Sequence, residues 1–136
     1  MKVAIYSRKS VFTSKGESVE NQGELCRRYI LANLLEVTER DITVFEDEGF
    51  SAKDTKRPEF QRMLARIRRK EFQCLVCYRL DRVSRSVGDC SRLIEELREL
   101  DVSFISVTER FDTTTPMGKA MLMVASVFAQ LERETL

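Results

Sequence analysis

A chain of 136 residues, 43% of them hydrophobic, is the size of one domain with a real core and leaves no room for a second. Its 23 basic and 22 acidic residues nearly cancel, so no global field draws it to nucleic acid or to a membrane surface. The absence of histidine excludes Ser-His-Asp and Cys-His triads and any His-ligated metal site within the chain.

In chain order, the apolar run Val3–Tyr6 reads as a first strand and is too short for a signal peptide. Ser18 stands as an N-cap for a helix from Val19 to about Leu35, with Leu25, Tyr29, Ile30 and Leu34 on one side. Ile42–Phe45 reads as a second strand, followed by a polar loop from Asp47 to Lys56. Pro58 suits the first position of a helix that carries Phe60, Met63, Leu64 and Ile67 at helical spacing. Phe72–Tyr78 is a third, buried strand. It contains Cys74 and Cys77, whose alternation sends them to opposite faces and makes them core cysteines rather than a redox or metal pair. Val87–Leu100 forms a helix with Leu93, Ile94, Leu97 and Leu100 inward, and Val102–Val107 a fourth strand. Thr114 or Thr115 with Pro116 opens a last helix still running at Leu136.

Strands alternating with helices predict an α/β fold: a mostly parallel four- to five-stranded sheet flanked by helices, with a long C-terminal helix cut at the chain end. The whole of 1–136 is one domain on this reading. No stretch approaches the roughly 20 apolar residues of a membrane span, and the cysteine usage suits a reduced, cytoplasmic protein.

Ligands of such sheets bind beyond the carboxyl ends of the strands. Arg8, Lys9 and Ser10 follow the first strand, and Lys56 and Arg57 close the loop after the second. Arg79, Asp81, Arg82 and Arg85 follow the third, and Glu109 and Arg110 the fourth. Taken singly, Ser10 reads as a loop or capping serine, Asp81 as an N-cap, and the arginines as solvated charges. Gathered on one edge they would repel one another without an anion, and the chain has no GxxxxGK[ST] or GxGxxG loop to hold a nucleotide by backbone amides. A phosphodiester or a reacting phosphoryl group is the natural guest.

These residues carry a family resemblance. Tyr6-Ser7-Arg8-Lys9-Ser10, Ser18-Val19-Glu20-Asn21-Gln22 and Asp47-Glu48-Gly49-Phe50-Ser51 resemble the start of a serine recombinase catalytic domain. Leu80-Asp81-Arg82-Val83-Ser84-Arg85 is similar to that family's central signature, and Met117-Gly118-Lys119 with Gln130-Leu131-Glu132-Arg133 to its last helix. Arg57-Pro58 closing the loop, and extra residues between Ser10 and the first helix, resemble the large branch of phage integrases and transposon recombinases.

The resemblance implies that Ser10 is a nucleophile attacking a phosphodiester of double-stranded DNA, giving a 5′-phosphoserine and a free 3′-hydroxyl, with strand exchange and religation needing neither metal nor ATP nor another cofactor. It assigns Arg8, Arg57, Arg82 and Arg85 to the scissile phosphate and Asp81 to an active-site carboxylate. Gln22 and Asp47 become supporting residues and Arg133 a DNA contact. Lys9 departs from the family pattern, which has an apolar residue there more often, and is read as a DNA contact, with a solvated charge as the alternative. It further implies a homodimer and a synaptic homotetramer in the full-length protein, with a DNA-binding region outside this chain. The chemistry suits the composition: with no histidine to take the serine proton, adjacent guanidiniums must stabilise the alkoxide and the five-coordinate transition state. The alternatives are a phosphodiesterase or nuclease, and a non-catalytic anion-binding domain.

The last helix bears on self-association. Met117, Met121, Val124, Phe128 and Leu131 recur at heptad-like spacing, and Ala120, Met123 and Val127 lie beside them. A helix apolar nearly all round must be covered on more than one side, and the sheet covers one. Met117, Met121, Val124 and Phe128 are therefore the expected oligomer interface.

Overall fold

The computed structural model describes residues 1–8, 19–47, 57–83, 87–109, 111–118, 120, 121, 123, 124, 127 and 131; for 19–21, 81, 82, 87, 88 and 91 it describes the backbone alone. Strands β1 (Val3–Arg8), β2 (Ile42–Asp47), β3 (Cys74–Cys77), β4 (Ser103–Ser106) and β5 (Phe111–Asp112) form one sheet in the order β2-β1-β3-β4-β5. The first four are parallel and β5 is antiparallel to β4. Between them run α1 (Val19–Asn33), α2 (Pro58–Arg68), the short α3 (Leu80–Val83) and α4 (Val87–Glu99). From residue 116 on, every described residue is helical.

Alternation along β1 explains why the sheet needs helices on both faces. Val3 and Ile5 pack with Cys26 and Ile30 of α1, whereas Ala4 and Tyr6 pack with Phe60, Met63, Leu64 and Ile67 of α2. The same pleat sends Cys74 to the α1 side and Cys77 to the α2 side, as the strand reading required. Burial raises the pKa of both thiols, so they behave as core side chains.

Helix ends are set by local chemistry. Thr115 Oγ1 accepts the Gly118 N–H at 3.0 Å, making Thr115 the N-cap and Pro116 the first position of the C-terminal helix. Both α2 and α4 end in a Schellman turn. Glu71 N–H donates to Arg66 O at 3.1 Å with Lys70 at φ 64°, and Val102 N–H donates to Leu97 O at 2.8 Å with Asp101 at φ 59°. Several sequence boundaries shift. β1 and β2 run on to Arg8 and Asp47, and α1 stops at Asn33 rather than Leu35 and α4 at Glu99 rather than Leu100. β3 covers Cys74–Cys77 rather than Phe72–Tyr78, and β4 Ser103–Ser106 rather than Val102–Val107.

Candidate active site at the carboxyl edge

β1 is flanked by β2 and β3, so its carboxyl end lies between theirs, with Arg8 paired to Asp47 in register. Gln22 of α1, fully buried, grips the Arg8 peptide twice: Arg8 N–H donates to Oε1 at 3.4 Å and Nε2 donates to the Arg8 carbonyl at 3.2 Å. The strand end that leads to Lys9 and Ser10 is thus tied to the first helix. The supporting position implied for Gln22 has a physical content: it fixes backbone.

Asp47 does more. Its carboxylate is 2% exposed and accepts from the Tyr6 hydroxyl at 2.7 Å, Glu59 N–H at 3.0 Å and Phe60 N–H at 3.1 Å. Arg57 occupies the N-cap of α2 without a side-chain cap bond, so Asp47, reaching from the end of β2, supplies the anion that the helix start lacks. The consequence is a fixed position for Arg57 beside the end of β1. Burial, followed by the Asp47 bond and charge, pushes the Tyr6 hydroxyl well above its ordinary pKa, while Arg57 and Arg8 pull it down. Both guanidiniums therefore act on one buried hydroxyl.

α3 follows β3 directly. The Leu80 N–H at its start donates to the Glu109 carboxylate at 3.3 Å, and Glu109 also accepts from the hydroxyls of Ser106 and Thr108. Glu109 is thereby a clasp between the ends of β3 and β4. Asp81 lies inside α3 rather than capping the helix from Val87, and Arg82 is its neighbour there. Arg57 Nη1 donates to the Val83 carbonyl at 2.5 Å, which links the start of α2 to α3. The structure thus assembles Arg8, Gln22, Asp47, Arg57 and the backbone of Asp81 and Arg82 at one edge. Lys9, Ser10, Arg85, Phe128 and Arg133, and the side chains of Asp81 and Arg82, lie outside the described residues. Sequence reasoning passed over the Tyr6 hydroxyl and the Phe60 ring. The available signal was that Tyr6 shares a strand face with Arg8.

On the C-terminal helix Met117 is 72% exposed, Met121 43% and Val124 56%. Met123, Val127 and Leu131 are exposed as well, so at the described positions both apolar lines are uncovered in a single chain. A groove of about 530 Å³ lies at the amino-terminal end of β4, between Ile94, Arg98, Val102, Phe104, Thr113 and Met123. Among the described residues no helix is long and apolar enough to cross a membrane.

The family model described as Resolvase, N-terminal domain, matches residues 3–136. A DNA-invertase of Enterobacteria phage P7 is 40% identical over 91 residues, 67% of this chain and 47% of the invertase. The Tn917 resolvase of Enterococcus faecalis is 37% identical over 91 residues, 67% of this chain and 48% of the resolvase. The chain therefore spans about half the length of the curated relatives it matches. Among solved structures, the N-terminal catalytic domain of TP901-1 integrase is similar at a TM-score of 0.80 and 34% identity, over 99% of this chain and 98% of that one. A resolvase family site-specific recombinase from Streptococcus pneumoniae follows at 0.77 and 26%, over 99% and 89%.

Proposed function

Because the chain belongs to the serine recombinase family, as a Resolvase N-terminal domain, we propose that it is the catalytic unit of a cytoplasmic site-specific DNA recombinase. The observation that carries the reading is the convergence of Arg8, Arg57 and α3, from three separate parts of the chain, at the carboxyl ends of β1 and β3. Three arginine-bearing segments around one point suit a phosphodiester, whose charge rises in the transition state.

In the proposed reaction Ser10 gives up its hydroxyl proton and its Oγ attacks a DNA phosphorus atom. The P–O bond to the 3′ oxygen breaks, that oxygen takes up a proton and leaves as a hydroxyl, and the 5′ phosphate stays on the serine. Rejoining runs the same step in reverse with a 3′-hydroxyl as nucleophile, so the bond energy is conserved without ATP. Arg8, Arg57, Arg82 and Arg85 hold the phosphate oxygens, and Asp81 acts at the same centre. Lys9 and Arg133 touch flanking DNA. Gln22 and Asp47 support the arginines through the Arg8 peptide and the α2 start. The exposed line of Met117, Met121 and Val124, with Phe128, forms the contact of a homodimer and of a synaptic homotetramer. A nuclease reading gains nothing from Glu109, whose carboxylate is engaged by Leu80, Ser106 and Thr108.

The test is Arg8→Lys and Arg57→Lys in the full-length enzyme. Both keep the charge and lose the planar fork, and a well-placed arginine contributes about 10³–10⁵ in phosphoryl transfer, so each should slow DNA cleavage by on the order of 10²-fold or more. Wild-type cleavage by both variants would refute the clamp.

A further inference from the structure

Arg57 begins α2 from an N-cap backbone at φ −134° and ψ 78°, and its own side chain makes no capping bond. Its guanidinium carbon instead lies 3.9 Å from the centroid of the Phe60 ring and 5.9 Å from that of Tyr6. The spacing of three residues puts Arg57 and Phe60 on the same side of the first helical turn. Phe60 is itself immobilised: it is 5% exposed, its N–H is held by Asp47, and its ring meets Tyr6 edge-on at 4.9 Å and 70°.

We infer that Phe60 is a positioning residue for Arg57, its ring face serving as the platform on which the guanidinium lies. The inference rests on the reading of Arg57 as a phosphate ligand. A planar cation stacked on an aromatic face keeps its N–H donors in its own plane, pointing past the ring edge. The Val83 carbonyl takes one of those donors and sets the rotation within the plane. Together the ring and the carbonyl define the guanidinium without consuming its remaining N–H groups, which stay available to an anion. The platform is in turn referenced to the sheet, because Asp47 of β2 and Tyr6 of β1 hold Phe60 from two sides. A phenylalanine that served the core alone would be replaceable by leucine with a modest loss of packing and no effect on the chemical step.

The test measures single-turnover DNA cleavage, DNA affinity and melting temperature of the full-length recombinase. Phe60→Leu should slow cleavage at saturating DNA by about tenfold, consistent with a desolvated cation–π contact, while DNA affinity is retained. Phe60→Tyr, which keeps the ring, should restore the rate. In the wild-type protein the δ-methylene protons of Arg57 should resonate upfield of an ordinary arginine because of the Phe60 ring current, a readout independent of how well any variant folds. Wild-type cleavage by Phe60→Leu, equal slowing by Leu and Tyr, or unshifted Arg57 protons would overturn the platform. If Arg57→Lys itself cleaves at the wild-type rate, the underlying reading of Arg57 fails instead.

Discussion

The Tyr6 hydroxyl donates to Asp47 Oδ2 at 2.7 Å, joining the end of β1 to the end of β2, and the same carboxylate reaches the first turn of α2 through Glu59 and Phe60. Arg8 and Arg57 flank this relationship, one on β1 and one at the start of α2. The start of α2 that carries Arg57 thus depends on a buried acid at the end of β2.

Replacing Asp47 by Asn should be costly, because both carboxylate oxygens accept a backbone N–H. Whichever way the amide is turned, its NH₂ faces a donor. The expected loss is about 2–3 kcal/mol in urea denaturation, whereas Tyr6→Phe, which leaves both backbone bonds in place, should cost about 1 kcal/mol. Equal losses would contradict the capping role.

Two helical glycines should respond in opposite directions. A Cβ on Gly118 would lie 1.7 Å from the Asp112 carbonyl oxygen, a backbone atom with no freedom to retreat, so Gly118→Ala should destabilise by about 3 kcal/mol. A Cβ on Gly23 meets nothing closer than 3.7 Å, so Gly23→Ala should stabilise α1 by about 1 kcal/mol. Thermal melts of the two variants check the pair.

Lys70 and Asp101 hold left-handed backbone at the ends of α2 and α4, where a side chain is strained. Lys70→Gly should therefore gain about 0.5–1 kcal/mol, visible as a raised denaturation midpoint with an unchanged slope. A loss would show that the Lys70 side chain stabilises the turn.

Alkaline pH should unfold the domain through its buried thiols. Burial pushes Cys26 and Cys74 from 9.0 up to about 12, so the unfolded chain releases these protons first. The stability they contribute is intact below about pH 9 and declines as pH rises toward about 12, by up to about 1.4 kcal/mol per pH unit for each thiol. Cys26→Ala should flatten the decline between pH 9 and 11 in denaturant titrations. An unchanged slope would contradict the assignment.

Much of this architecture is legible in short-range pattern. The apolar alternation of β1, the Phe60–Ile67 stripe and the split of Cys74 from Cys77 are each set within a few residues. α3 and β5 escaped detail because elements of four and two residues carry no periodicity; α3 is started by Glu109, far along the chain. Phe72 reads as strand because it is apolar, yet it is buried by packing against Phe45 at 5.9 Å outside the ladder. In the site, Arg8, Gln22, Asp47 and Arg57 are recognisable from motif blocks. What Asp47 does there is not, since its three donors come from β1 and α2 and meet only in the fold.

The central claim is a covalent serine intermediate, and trapping it is the most direct measurement. Full-length enzyme incubated with a nicked recombination site and run on a denaturing gel should show protein joined to a DNA 5′ end, lost completely in Ser10→Ala. An adduct that survives Ser10→Ala would contradict the account.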